Sequence, residues 1–118
     1  DTMQSLDCPV ITVGEGVVAS MAAVILACGD HRQVYRHTQV LIHQLMGGTG
    51  MAQQTDIEIV AQHTAAMRAE LDELLAEHGN LSAQEFHELT ERDCWCNARR
   101  ALELGLVDEV IAPSKKAL

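Results

Sequence analysis

Aromatic residues are nearly missing from this chain. One Trp, one Tyr and one Phe make up 3% of its 118 residues, so any core must be aliphatic, built from Leu, Ile, Val, Ala and Met. Basic residues are scarce as well. Lys and Arg total 8 against 17 Asp and Glu, a formal net charge of −9. That balance excludes the basic face of a nucleic-acid binder and attraction to anionic lipid. No apolar run reaches the ~20 residues of a membrane-spanning helix. The longest, Val17 to Cys28, is broken by Ser20 and has no basic flank, which also sets aside a secretory signal. The four cysteines, Cys8, Cys28, Cys94 and Cys96, are too few and too irregular for a secreted disulfide framework. They read as reduced thiols of a cytosol-like compartment. The C-x-C of Cys94 and Cys96 has no second ligand pair, so no metal is expected.

What is present alternates between strand and helix signals. The chain is long enough for one domain that buries ~65% of its unfolded surface. Asp1 to Leu6 reads as the tail of a helix, so the chain is expected to enter in mid-fold. Pro9 opens "PVITVGEG", a β-branched run read as a buried strand. Ala19 to Cys28 is apolar nearly all round, which predicts a short buried helix with Gly29 as its C′ residue. "QVYR" and "QVLIH" read as short strands. A glycine-rich loop follows, and Thr55 with Glu58 predicts a capping box for a long helix. Its apolar positions, Ile57, Val60, Met67, Leu71 and Leu74, alternate in threes and fours with Thr64 between them. That seam suits either a core helix or one that projects towards a neighbouring subunit. Ser82 with Glu85 repeats the capping box, Asn97 caps a third helix that ends at Gly105, and "LVDEVI" is a last strand. The class is α/β, a single domain over 1–112 with a tail over 113–118.

Ser20 lies where strand hands over to helix. It could cap the helix through its side chain. It could instead hold its hydroxyl beside free helix N–H groups, Met21 N–H the nearest, where an oxyanion would be stabilised. The setting is not G-x-S-x-G, so it is not the α/β-hydrolase elbow. A nucleophile needs a base. Of the six histidines, His43 differs by ending the apolar run "VLI" just before the glycine loop, where a base would be both rigid and accessible. It could equally just close the strand. Imidazole is the side chain suited to proton transfer near neutral pH. Among the 17 acids, several could serve; Asp93 is one of them, sitting where polar "TER" gives way to an apolar stretch, a place for a carboxylate that orients an imidazole. Gly47, Gly48 and Gly50 would let a substrate backbone lie close, or would simply form a flexible tip.

The stretches "DTMQ", "ASMAA", "LIHQ", "GG", "TDIEI", "ELLAEH", "TERD" and "ALELGLVDEVI" run in that order along the chain. In that order and near that spacing they resemble the Clp protease proteolytic subunit, a family of self-compartmentalising serine peptidases. The resemblance implies a crotonase-like α/β superhelix with a handle region over about 45–79. It places the nucleophile on Ser20, the base on His43, the acid on Asp93 and an oxyanion N–H on Met21. Gln44, Met46, Gly47 and Gly48 would then border the substrate strand. The family pattern extends upstream of "DTMQ" with strands and a Gly-Gly oxyanion segment. Leu45 stands where the family usually has proline, and the segment between Ser20 and His43 is shorter than usual.

The resemblance also implies polypeptide substrates and a homo-oligomer of stacked heptameric rings. An AAA+ unfoldase would be the ATP-using partner, in the cytoplasm or an organellar matrix. No nucleotide-binding loop occurs in the chain, and no cofactor is expected. Two other readings stay open at this point: a non-catalytic structural subunit, and an acyl-CoA enzyme of the related crotonase fold.

Overall fold

A single guanidinium gathers the ends of three helices. Arg32 Nη1 donates to Ala27 O at 3.2 Å, His78 O at 2.6 Å and Gly105 O at 2.6 Å. The same side chain forks onto Asp108, with Nε to Oδ2 at 3.0 Å and Nη2 to Oδ1 at 2.5 Å. Carbonyl groups at a helix C-terminus lack intrahelical partners and carry the negative end of the dipole, so a cation there is doubly favourable.

In the computed structural model, which describes residues 1–112, the elements follow in this order. A 3₁₀ turn, Met3–Ser5, precedes β1 (Ile11–Gly14), β2 (Val17–Ala19), α1 (Met21–Ala27), β3 (His31–Tyr35) and β4 (Gln39–Ile42). Then come α2 (Gln54–His78), α3 (Ala83–Leu89), β5 (Cys94–Asn97), α4 (Ala98–Glu103) and β6 (Glu109–Ile111). The tail expected over 113–118 lies outside the described residues. The strands form two three-stranded sheets, β1-β3-β6 and β2-β4-β5. The first is parallel throughout; in the second β2 and β4 are parallel and β5 runs antiparallel to β4. Helix α1 packs against β1, β2 and β4 and so joins the two sheets.

The core is aliphatic, as the composition requires. Ala23, Leu26, Val34, Val40 and Leu106 are buried, and the chain's single Phe, Phe86, is buried whole beneath Gly79. Helix α4 is capped at Leu104 and Gly105 takes φ +73°, with Leu106 N donating to Ala101 O and Gly105 N to Leu102 O, a Schellman ending. A side chain at Gly105 would be strained by that φ and would also strike Asn80.

Several expectations are corrected. "PVITVGEG" is not one buried strand. Its β1 is an edge strand with Ile11 and Val13 exposed, because no described strand pairs on its outer side. Ala19 belongs to β2, and the helix begins at Met21. Residues 1–6 hold only the 3₁₀ turn. The Thr55–Glu58 capping box does not form. The extended residue is Gln53, so Thr55 falls inside α2, and Glu58 accepts from Gln54 instead. The strand Cys94–Asn97 was not foreseen as one. The Ser82–Glu85 box does form in both directions, and Asn97 Oδ1 accepts from Arg100 N at 2.9 Å.

Helix α2 projects. Leu71 and Leu74 pack on the core, whereas Ile57, Val60 and Met67 are exposed along with Ile59. At 25 residues it spans about 37 Å, which gives the molecule extents of 64 × 31 × 27 Å.

The Arg32 side chain is only 12% exposed, and its loss would leave three carbonyls and a carboxylate without their shared donor. Arg32→Met is expected to destabilise the fold by ~3–5 kcal/mol in urea denaturation, and Arg32→Lys to recover only part, since an ammonium cannot fork. A loss below ~1 kcal/mol for Arg32→Met would contradict this role. The same contact sets an acid limb. Hydrogen bonding to Arg32 holds the Asp108 carboxyl below its ordinary value of 3.8, outweighing partial desolvation. A depressed folded-state pKa gives stability that is fully present above the unfolded value and is lost as pH falls through the folded one. Stability should therefore decline below pH ~4, and Asp108→Asn should flatten that decline while lowering stability at pH 7.

Candidate active site

The site forms at one end of the β2-β4-β5 sheet. Ala19 pairs with Leu41, and Ile42 pairs with Cys94. The next residue along β2 is Ser20, the next along β4 is His43, and the residue before β5 is Asp93. Register alone therefore brings Ser20, His43 and Asp93 to the same sheet end, with the histidine on the central strand. Two parallel strands deliver their carboxyl ends there, the place where α/β sheets usually hold ligands.

Ser20 is the only non-glycine described residue with positive φ, at φ 59° and ψ −127°. Its side chain makes no capping hydrogen bond, so the capping use is set aside. Three backbone contacts pin the strained residue. Ser20 N donates to Leu41 O at 3.0 Å, and Ser20 O accepts from Ala23 N at 2.9 Å and Val24 N at 3.3 Å. Such strain costs of order 1–3 kcal/mol and persists only where its surroundings over-determine it. It turns the chain sharply from β2 into α1 and leaves Ser20 exposed. Met21 N–H, at the start of α1, has no backbone or side-chain acceptor among the described residues.

Two adjoining cavities flank His43. One of about 470 Å³ is lined by Ser20, Met21, His43, Met46, Leu71 and Asp72, among others. The other, about 560 Å³, is lined by His43, Leu45, Met46, Thr90, Arg92 and Asp93, among others. Ser20 lines the first cavity, Asp93 the second, and His43 both. Among the described residues no hydrogen bond or ion pair joins the three side chains. Met46 is exposed at the mouth of both cavities. Gly47 and Gly48 are exposed, line neither cavity, and have nothing within 4 Å of where a Cβ would stand.

Gln44 is tied into the protein. Its N–H donates to Thr90 O at 3.0 Å, its Nε2 to Glu91 O at 2.8 Å, and its Oε1 accepts from Arg68 Nη1 at 3.0 Å. Arg68 Nη2 reaches on to His87 O at 3.0 Å and Glu91 Oε2 at 3.1 Å. The segment after His43 is thereby stitched to the segment before Asp93, with α2 as the common backing. Sequence reasoning missed Arg68. Its signal was position: it stands one turn before Leu71 and Asp72 on the inward face of α2. Asp72, 5% exposed on the floor of the first cavity, accepts from or pairs with His87 Nδ1 at 2.7 Å. That contact anchors α3 to α2 and was also unforeseen. Among the described residues no group of three or more His, Cys, Asp or Glu side chains is placed to hold a metal ion.

A family model described as Clp protease matches residues 1–114. The "ATP-dependent Clp protease proteolytic subunit" of Streptococcus sanguinis (strain SK36) is 40% identical over 117 residues, 97% of this chain and 60% of that protein. Its namesake from Lactococcus lactis subsp. cremoris (strain SK11) is 39% identical over 114 residues, covering 94% and 57%. The one from Streptococcus pneumoniae (strain Hungary19A-6) is 40% identical over 115 residues, covering 95% and 59%. The chain therefore spans about 60% of the length of these relatives. With the whole matched stretch carrying the α/β elements and the sheet-end constellation in one order, the chain belongs to the Clp protease family, with its crotonase-like fold.

Proposed function

We propose that this chain carries the triad-bearing part of a Clp-type serine endopeptidase subunit. The observation that carries the reading is the strand register that sets Ser20, His43 and Asp93 side by side at one sheet end. His43 takes the proton from Ser20 Oγ as that oxygen attacks a peptide carbonyl carbon, and Asp93 orients the imidazole and stabilises its charged form. The tetrahedral oxyanion receives a hydrogen bond from Met21 N–H. His43 then gives the proton to the leaving amine, and water, activated by the same imidazole, hydrolyses the acyl-enzyme. Hydrogen bonds among the three side chains form in the bound complex, the tightening that a substrate commonly supplies.

The substrate is an unfolded polypeptide in extended form. It lies along the segment of Gln44, Met46, Gly47 and Gly48, which leaves backbone open for strand addition. Gln44 contributes by holding that segment in place, Met46 by an exposed apolar contact. Assembly follows from α2. Its exposed Ile57, Ile59, Val60 and Met67 suit a handle that packs against a second copy, in stacked heptameric rings. A AAA+ unfoldase, which uses the ATP, feeds the chamber in the cytoplasm or an organellar matrix. No described helix is long and apolar enough to cross a membrane.

One observation favours a second reading, a structural subunit that acts only with a complement. Ile11, Val13, Val17, Met21 and Ile25 leave an apolar face exposed beside the edge strands β1 and β2. A fluorophosphonate probe separates the two readings. The first predicts a covalent adduct on Ser20 in folded protein, absent from Ser20→Ala. The second predicts no adduct on the chain alone, together with a larger complex by native mass spectrometry. Folded protein that neither labels at Ser20 nor assembles would contradict both.

A further inference from the structure

The strand β5 presents two thiols to the same side. Cys94 and Cys96 alternate with Trp95, and their Sγ atoms lie 3.7 Å apart. Cys96 is completely buried opposite Val40, while Cys94 is half-buried opposite Ile42. Trp95 points the other way and is 55% exposed. The remaining cysteines stand apart in the fold, Cys8 exposed ahead of β1 and Cys28 buried at the end of α1.

We propose that Cys94 and Cys96 form a thiol–disulfide exchange site for a small-molecule disulfide of the glutathione class, and that closing it displaces Asp93. The thiolate of Cys94, the less buried of the two, attacks one sulfur of the disulfide and expels the other half as thiolate. Cys96 then loses its proton and attacks the Cys94 sulfur. The second half leaves and, with the first, takes up the two protons. The two protein thiols are oxidised and one small disulfide is reduced to two thiols, so atoms and electrons balance. The order of attack follows from burial. Desolvation, aided by the neighbouring Cys94 charge and hydrogen bond, pushes the Cys96 thiol up to about 12. It is therefore the second thiol to act, after Cys94 has been capped and its charge removed.

Geometry makes the closed form costly and hence reversible. Residues two apart on a strand have Cα atoms roughly 6.5 Å apart, whereas a disulfide prefers about 5.5–6 Å and sulfurs about 2.05 Å apart. Closing the 3.7 Å gap must shorten β5 by up to about 1 Å. The rung that gives way is Ile42 with Cys94, which adjoins His43 and Asp93. Strained disulfides are the easily reduced, regulatory ones. A displacement of about 1 Å in a catalytic constellation typically costs on the order of 100-fold in rate. That consequence rests on the triad reading above; the exchange site does not.

The test uses the whole reduced, folded chain. It is treated with excess oxidised glutathione, and mass spectrometry maps the cysteines after alkylation. The emission of Trp95, the only tryptophan, follows the strand. Expected are loss of both thiol hydrogens on the Cys94–Cys96 peptide without retained glutathione, and a change in Trp95 emission. Glutathione should stay on Cys94 in Cys96→Ser. Reduction should restore the starting state. Glutathione retained on Cys94 in the unmutated chain, or both thiols still open to alkylation while Cys8 has reacted, would overturn the exchange site. In parallel, fluorophosphonate labelling of Ser20 should slow on the order of 100-fold on oxidation. A disulfide that forms without slowing the label or altering Trp95 emission would overturn the displacement of Asp93. A reduced chain that never labels would defeat the triad reading instead, and the cysteine map and Trp95 emission would still decide this inference.

Discussion

The contact on which the rest depends is the Arg32 fork. Its guanidinium ends α1, α2 and α4 and locks the approach to β6 through Asp108. Two of the helices so held, α1 and α2, reach the candidate site. Helix α1 runs from the clamp at Ala27 back to Ser20, seven residues or about 10 Å away. Helix α2 runs from the clamp at His78 back through Leu75, Asp72, Leu71 and Arg68, which floor or brace the cavity beside His43. A buried charge with good geometry and a full set of acceptors is thus converted into fixed distances between separate chain segments.

That rigidity is what the site requires. Ser20 stays in a backbone conformation that costs of order 1–3 kcal/mol because Leu41 O on one side and Ala23 N on the other leave it no easier geometry. The Arg68–Gln44–Glu91 network does for His43 and Asp93 what those backbone contacts do for Ser20. The family membership fits this division, with a crotonase-like body and a candidate site built from strand ends. The outer edges of β1 and β2, on which no described strand pairs, and the projecting face of α2 are the parts that look outward to other chain segments or copies.

Much of this was legible in the residues. The alternation of strand and helix signals gave the α/β class, and the Ser82–Glu85 and Asn97 caps were readable because their chemistry is local. The capping box at Thr55 was misread because the backbone turns into the helix at Gln53, two residues earlier, whose side chain makes no cap that would mark the start. Ser20 and His43 were singled out by where strands end, and Asp93 by where a polar stretch gives way to an apolar one, yet nothing local to "TERD" says that it faces "LIH". That pairing is set by the β4–β5 register, and β5 was hidden because four residues with one Trp and two Cys give too short an alternation to read. Arg32 was invisible for the same reason. Its partners lie 5 to 76 residues away along the chain, and long-range acceptors leave no periodic trace.

The central claim is that Ser20, His43 and Asp93 act as one unit. The most direct measurement is the rate of Ser20 acylation by an activated ester in the unmutated chain, in His43→Ala, in Asp93→Ala and in the double variant, each shown to be folded. The account predicts that the His43 variant loses at least ~10³-fold and that removing Asp93 as well changes little more, because groups acting together are strongly non-additive. Losses that simply multiply, or an acylation rate that ignores both substitutions, would contradict it.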